Sequence, residues 1–318
     1  MKSQILMTTV SSLALTSAGM AVAQDAAPKL DPKFTLTVQG GFGSLDSAPR
    51  DKWGASGGLS DKVGIGGNDL AYSDLAYTGA ISLSRSIGEN RDVRFGLGFG
   101  SNPTNEDLYT SSYSSGGTSG LASSSVTNNF GFTTMDIDTG RSTEVAMGKL
   151  SAFGGVRGMV TKSASAQSID KVGNDGVSSG SAQVTANVES NFVGLGPRIG
   201  AGFVSKPFAG GFGVSAEVAA GVVYGQRTDR VSLDKVGTSS SGGNFGPVTV
   251  GESVSDSQIV KTLDAKASVD YHISENTSLS LGYQARQFWN VDGFSDSDSG
   301  NTTHRLVDGA FIAFTTKF

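Results

Sequence analysis

Cysteine is absent from the 318-residue sequence, which excludes disulfide bonds and thiolate metal sites. Histidine occurs only at positions 272 and 304, too far apart in the predicted topology to share one site. Beyond the N-terminus no run of 18 apolar residues exists, which excludes a helical membrane span. The net charge is −5 and no basic stripe is present, so we expect no nucleic-acid partner.

The N-terminus has the pattern of an export signal. Lys2 gives a positive start, residues 5–22 are uncharged, and Ala21-Val22-Ala23 forms a small-residue cleavage site before Gln24. We therefore predict a cleaved signal peptide over 1–23 and one domain over 24–318. The alternative is an N-terminal anchor helix, but the serine and threonine residues in this stretch make it a poor membrane span.

What the chain has in abundance is glycine, with 45 residues, and short segments that alternate between apolar and polar or small side chains. Val93, Phe95 and Leu97, for example, alternate with Arg94 and Gly96. Successive side chains of a strand point to opposite faces, so this period of two predicts strands with one apolar face. The ten candidate segments are 34–42, 77–84, 93–100, 135–138, 149–160, 193–203, 212–224, 263–271, 278–286 and 310–318.

The connections between these segments alternate between long and short. The long connections are 44–74, 102–127, 161–190, 225–258 and 290–303, and the short ones lie around 88–90, 139–141, 206–208 and 274–276. This layout is typical of an all-β, transmembrane, antiparallel up-and-down β-barrel in the bacterial outer membrane, with short periplasmic turns and long external loops. A soluble sandwich would not alternate in this way. The strand number could differ from ten by two, because 244–260 could add a hairpin.

Aromatic residues fall at the ends of the predicted strands, as in the interfacial girdles of a barrel. The outer ends carry Phe42, Tyr77, Phe99, Tyr224 and Trp289, and the inner ends carry Phe34, Phe203, Phe212, Tyr271 and Phe318. We expect Phe314 and Phe318 to act as a C-terminal assembly signal. The expected partners are outer-membrane lipid and the outer-membrane assembly machinery.

Two residues conflict with the simple pattern. Pro197 lies inside a strand and cannot donate to the sheet, so a bulge or a break is expected there. Asp308 is an even number of residues away from the lipid-facing Ile312 and Phe314, so its side chain is expected on the same face. A register shift near Gly309, or a position above the bilayer, would relieve this carboxylate.

Charged residues with inward parity are the candidate functional residues, because charges facing lipid would be costly. The predicted lumen-lining residues are Arg94, Asp136, Asp138, Lys149, Arg157, Arg198, Glu217, Asp264, Lys266, Asp270 and Arg286. They could line an aqueous pore and set its ion selectivity. Alternatively, they could plug the lumen with ion pairs, since barrels of about eight strands can be filled by side chains.

Three segments resemble the Legionella-type major outer-membrane protein family. They are 191–200, with Gly194-Leu195-Gly196-Pro197-Arg198, then 150–157, ending in Gly155-Val156-Arg157, and 281–291, starting with Leu281-Gly282-Tyr283. The resemblance implies a pore-forming protein for passive passage of small hydrophilic solutes. The alternative is a non-conducting structural or adhesive surface protein whose loops contact host or neighbouring cells.

We predict no enzymatic activity, no cofactor and no metal. A rim protease would need His304 with Asp296 and Asp298, but a solvated loop with a nearby histidine explains these residues better. Residues 296–300 are similar to a calcium loop, but Val307 stands where a bidentate glutamate is required. The glycine-rich stretch 96–100 leads into no helix and is therefore not a nucleotide-binding loop.

Overall fold

The computed structural model describes residues 34–46, 73–88, 90–102, 105–115, 118–174, 179–239, 244–291 and 304–318. The predicted signal peptide, residues 1–23, lies outside these ranges. Within them, no helix has both the length and the apolar character needed to cross a membrane.

The described chain is almost entirely extended. Its strands are β1 (Phe34–Asp46), β2 (Ser73–Gly88), β3 (Arg91–Ser101), β4 (Asn105–Ser115), β5 (Thr118–Val145), β6 (Gly148–Asn174), β7 (Ser179–Ser205), β8 (Phe212–Ser239), β9 (Asn244–Ser274), β10 (Thr277–Trp289) and β11 (His304–Lys317). A single 3-10 turn, Ala209–Gly211, precedes β8.

Ten of these strands form a closed antiparallel ring. The strands from β5 to β11 pair in sequence order, β11 pairs with β1, and β1, β2 and β3 follow. Pairing of β3 with β5 closes the ring, while β4 pairs with β5 alone. At the β1–β11 seam, the backbones of Phe34 and Phe318 exchange two hydrogen bonds of 2.9 Å, and their rings stack at 6.0 Å. The prediction of a ten-stranded antiparallel barrel is confirmed.

The short connections lie at one end of the barrel. Those at 206–208 and 274–276 fall where the sequence predicts them, but the one at 139–141 does not. Thr139 and Arg141 are inside β5, paired with Gly154 and Ala152 of β6, and the turn is formed by Ala146 and Met147. Gly140, which suggested a turn, instead faces a crowded lumen, where an added Cβ would lie 3.0 Å from Asp92 Oδ1.

Three of the predicted long external loops are strands. Residues 102–127, 161–190 and 225–258, apart from short stretches outside the described ranges, continue the hairpins of the barrel and add β4 as an eleventh strand. The β8–β9 pairing contains one register shift, between Lys235 and Gly237. Residues 244–260 are the outer half of β9 and pair with β8. The prediction of loops was wrong because serine and threonine suit a solvated strand as well as a loop. Residues 47–72 and 292–303 lie outside the described ranges.

The two conflicting residues have different outcomes. At Pro197 the pairing of β7 with β8 is broken: Leu195 pairs with Tyr224 and Arg198 with Gly221, but Gly196 and Pro197 have no partner on β8. The register is unchanged, so the expected break is present and the bulge is not. Asp308 shows no register shift, because it pairs with Ser44 in an uninterrupted ladder. Its carboxylate accepts hydrogen bonds from Ser44 Oγ, at 2.5 Å, and from the Tyr283 hydroxyl.

Candidate functional site

Arg157 is the centre of a network of charged side chains inside the barrel. It lies on β6 with 1% of its side chain exposed. Its Nε and Nη2 donate to the two carboxylate oxygens of Asp136 at 2.7 and 2.9 Å. Nη2 is also 2.6 Å from Asp264 Oδ2, and Nη1 donates to Thr262 Oγ1 at 3.1 Å. The guanidinium thus ties β6 to both β5 and the distant β9.

Arg198 on β7 is the second buried cation. It forms an ion pair with Asp138 and lies 3.6 Å from Asp136. Its Nη2 is 3.8 Å from Glu217 Oε1. Arg94 on the opposite wall donates to Glu217 Oε2 at 2.7 Å. The Arg94–Glu217 pair crosses the lumen from β3 to β8, whereas the pairs of Arg198 run along the wall from β5 to β8.

Two further cations complete this charged layer. Lys266 Nζ lies 3.6 Å from Glu217, and Arg286 Nε donates to Asp264 at 2.5 Å. Aromatic rings cover the guanidinium groups, with Arg94 and Arg198 each 5.0 Å from the centre of the Phe153 ring. Cation–π contacts of this kind stabilise an arginine in desolvated surroundings.

Nine of the eleven residues singled out from the sequence belong to this charged layer: Arg94, Asp136, Asp138, Arg157, Arg198, Glu217, Asp264, Lys266 and Arg286. Asp270 is buried nearer the periplasmic end and accepts a hydrogen bond from Ser268 at 2.8 Å. Lys149 is exposed beside the β5–β6 turn, apart from the layer.

A second layer, which sequence reasoning missed, fills the lumen on the external side of the charges. It is apolar and fully buried, and consists of Leu45, Ala76, Phe130, Phe132, Met159, Phe192, Val223, Val260, Phe288, Val291 and Val307. The ring of Phe288 lies 6.1 Å from that of Phe130 and 5.1 Å from that of Phe132. The sequence did contain a signal for this layer, because Phe130 and Phe132 are an even number of residues from Asp136 and Asp138 and therefore face the lumen with them.

Neutral side chains of β1, β2 and β10 make a separate set of contacts in the lumen. Gln39 donates to Gln284 Oε1 at 2.6 Å, and Gln284 donates to Thr78 Oγ1 at 2.5 Å. Phe311 is buried next to them on β11.

Inward-facing glycines provide the room for these large side chains. An added Cβ at Gly98 would lie 2.8 Å from Thr134 Oγ1 and 3.1 Å from Arg286 Nη1. A Cβ at Gly200 would lie 2.3 Å from the Phe153 ring. Both are closer than ordinary van der Waals contact, so glycine is needed opposite the arginines and the aromatic ring.

Catalytic and metal-binding arrangements have little support in the described residues. Those residues contain no group of three or more histidine or acidic side chains placed to hold a metal ion. His272 faces the periplasmic end of β9, whereas His304 starts β11 at the external end. Asp296 and Asp298, and with them the predicted rim-protease and calcium-loop sites, lie outside the described ranges.

Comparison with solved structures finds other outer-membrane proteins. The translocator domain of the autotransporter NalP from Neisseria meningitidis is 10% identical, with a TM-score of 0.26, and 98% of each chain is covered. The outer membrane protease OmpT from Escherichia coli is 6% identical, with a TM-score of 0.38, and 92% of this chain and 99% of that chain are covered. The toluene transporter TodX from Pseudomonas putida is 11% identical, with a TM-score of 0.22, and 91% and 90% are covered.

Sequence comparison identifies a family. No curated protein has significant sequence similarity to the chain. A family model described as Legionella pneumophila major outer membrane protein precursor, however, matches residues 67–314, which is most of the sequence. The protein is an outer-membrane β-barrel, and it belongs to the family of the Legionella pneumophila major outer membrane protein.

Proposed function

We propose that this protein is a structural barrel of the outer membrane that holds a β-sheet on the cell surface, with a lumen that is closed to solutes at rest. This corresponds to the second of the two functions expected from the sequence, a non-conducting surface protein. The steady passive passage of hydrophilic solutes is the less favoured function.

The observation that carries the proposal is the burial of the apolar layer. Phe192, Val223, Val260 and Phe288 have no exposed surface, and Phe130 and Met159 are 2% exposed. Every strand of the ring contributes a buried residue at this level, with Gly100 in β3 and Asn102 directly after it. A water-filled channel through the layer would wet at least some of these side chains. Their burial therefore supports a closed lumen.

The charged layer supports the same conclusion. To let a hydrated solute pass, Arg157 would have to leave Asp136 and Asp264, whose ion-pair distances are 2.7 and 2.6 Å. Separating a buried ion pair costs several kcal/mol, on the order of 3–5 kcal/mol when one partner is lost. Two successive closures, one apolar and one ionic, are unlike the open lumen of a large porin.

The second part of the proposal concerns the external sheet, defined as β4 together with 118–130 of β5, 161–174 of β6, 179–190 of β7, 226–239 of β8 and 244–260 of β9. A barrel strand needs only about 9–11 residues to cross the bilayer. The strands β5 to β9 have between 27 and 31 residues. At about 3.3 Å per residue, β9 is about 100 Å long, so most of it extends beyond the membrane.

The external sheet has the features of a contact surface. Val250 and Val254 are 58% and 53% exposed, although they lie on a regular, paired strand. Beyond Lys261, the outer half of β9 pairs with β8 on one side, and no described strand pairs with its other edge. Open edges and exposed apolar residues favour binding of another protein. We propose host or neighbouring cell surfaces as the partners.

Single-channel recording in planar bilayers tests the closed lumen. We expect the folded protein to give no reproducible conductance steps at moderate voltage of either sign. Folding of the inserted protein is checked by its shift in electrophoretic mobility on heating. Steps whose size changes in Arg198→Gln or Glu217→Gln would contradict the proposal, because these charges would then face the conducting path.

A gated pore for small hydrophilic solutes is the second candidate, and one observation favours it. Arg198 Nε and Asp138 Oδ1 are buried, with no hydrogen-bond partner within the described part of the chain. Such groups would bind water or an ion if the layers separated. A gated pore predicts silence at low voltage and steps above a threshold voltage that falls in Asp138→Asn. Silence at all voltages that the bilayer tolerates would exclude it.

A further inference from the structure

Two arginines lie directly opposite each other on the lipid-facing side of the barrel. Arg91 of β3 and Arg141 of β5 are paired in the ladder, so their side chains share one face. That face is the outer one, because it also carries the exposed Val93 and Ile137, whereas the neighbouring Asp92 and Asp138 face inward.

The pair has no counter-ion among the described residues. Both side chains are exposed, and neither forms an ion pair with a carboxylate in the described residues. Like charges directly opposite each other in a sheet are destabilising, and more so where water is scarce. Since Arg91 follows the turn at residues 88–90 and Arg141 precedes the turn at Ala146, both lie at the periplasmic end. This is the level of the inner-leaflet headgroups.

A groove in the barrel surface adjoins the two guanidinium groups. Its volume is about 530 Å³, it is open to the surroundings, and it is lined by both arginines, Ile87, Thr139, Ala152 and Gly154. The bottom of the groove is formed by Ala152 and Gly154, which are small. Ile199, which pairs with Gly154 on β7, lies beside the groove. Above Gly154, Val156 and Ile137 continue the apolar surface towards the bilayer centre.

We propose that this groove binds one anionic phospholipid of the inner leaflet, with its headgroup phosphate between Arg91 and Arg141 and an acyl chain over Gly154. Charge complementarity identifies the ligand: arginine binds phosphate through paired N–H donors, and anionic lipids gather at basic clusters. The shape of the groove adds a requirement for a chain, which free phosphate does not meet. The bound lipid neutralises the like-charge pair and thereby stabilises the β3–β5 closure.

Native mass spectrometry of the detergent-solubilised barrel tests the proposal with three probes: a phosphatidylglycerol, a phosphatidylcholine with the same acyl chains, and inorganic phosphate. We expect one phosphatidylglycerol to be retained at least tenfold more than phosphatidylcholine, and phosphate not to be retained. The preference is expected to disappear in Arg91→Gln/Arg141→Gln. It is expected to persist in Lys206→Gln/Lys317→Gln, which removes two periplasmic charges elsewhere.

Two glycines on β6 give a matched test of the acyl-chain groove. Gly154→Leu fills the groove without touching an arginine, and a Cβ there would meet nothing closer than 3.7 Å. Gly158→Leu places the same side chain higher on the same face, where the nearest atom is 3.8 Å away. We expect the first variant to lose phosphatidylglycerol and the second to keep it. Equal retention of the two lipids by the native protein, retention in Gly154→Leu, or binding of phosphate alone would overturn the proposal.

Discussion

Arg157 and Asp136 lie directly opposite each other on β6 and β5 and share two hydrogen bonds, of 2.7 and 2.9 Å. The arginine is one of the most deeply buried side chains of the protein, although it carries a full charge. A buried guanidinium is tolerable only when its donors are matched, and here Asp136, Asp264 and Thr262 match them. The pair therefore shows how a small barrel can fill its lumen with charges.

Removing this arginine should strongly destabilise the barrel. Arg157→Met removes both charged hydrogen bonds of Asp136 and leaves Asp264 with Arg286 as its hydrogen-bonded cation, and we expect a loss of about 3–5 kcal/mol in the free energy of unfolding. Urea unfolding in lipid vesicles measures this loss. The exposed Arg230 on β8 provides the control, and Arg230→Met should change the free energy by less than about 0.5 kcal/mol. Equal effects of the two substitutions would show that the buried network contributes no special stability.

Two inward-facing glycines of β3 should respond differently to the same substitution. Gly98→Ala would place a Cβ 2.8 Å from the buried Thr134 Oγ1, whereas Gly96→Ala would place one 3.7 Å from the nearest atom. We expect Gly98→Ala to lower the free energy of unfolding by about 1–3 kcal/mol. Gly96→Ala should leave it unchanged or raise it slightly, since alanine restricts the unfolded chain. A urea midpoint for Gly98→Ala equal to or above that of Gly96→Ala would contradict the packing described for the charged layer.

The break at Pro197 should be repairable. The unpaired positions on β7 are Gly196 and Pro197, and the missing N–H of the proline explains both, because it would donate to Val222 of β8. Pro197→Val supplies the donor, and its side chain stays on the lipid-facing side. We expect the free energy of unfolding to rise by about 1 kcal/mol and amide exchange at Val222, whose N–H faces β7, to slow. If exchange at Val222 is unchanged, the proline is not the cause of the break.

Most of what the sequence could predict came from the alternation of odd and even positions along each strand, which point to opposite faces of the sheet. Charged residues such as Arg157 and Arg198 stand out between apolar neighbours, so their shared face was visible without any coordinates. This alternation does not give the distance between side chains on different strands, however. The pairing of Arg157 with both Asp136 and Asp264 depends on the barrel diameter and on contacts across the lumen. The predicted list of residues therefore did not decide between a lined pore and a filled lumen.

The apolar layer was missed for a related reason. Phe192 and Phe288 look like lipid-facing or girdle residues when apolar side chains are assumed to face outward. Their inward position follows from counting along β7 from Arg198 and along β10 from Arg286, which requires the full strand lengths. Those lengths were underestimated because the Ser/Gly-rich segments beyond the membrane carry no strong apolar alternation, and only pairing with neighbouring strands keeps them extended.

The closed lumen can be tested most directly by thiol accessibility, since the chain has no cysteine of its own. Thr134 faces the lumen between the two layers and is 1% exposed, whereas the Lys266 side chain faces the lumen and is 44% exposed. In folded protein in lipid vesicles, a water-soluble maleimide should label Lys266→Cys and should leave Thr134→Cys unlabelled until urea unfolds the barrel. Labelling of Thr134→Cys at a rate similar to that of Lys266→Cys would contradict the closed lumen and, with it, the proposed function.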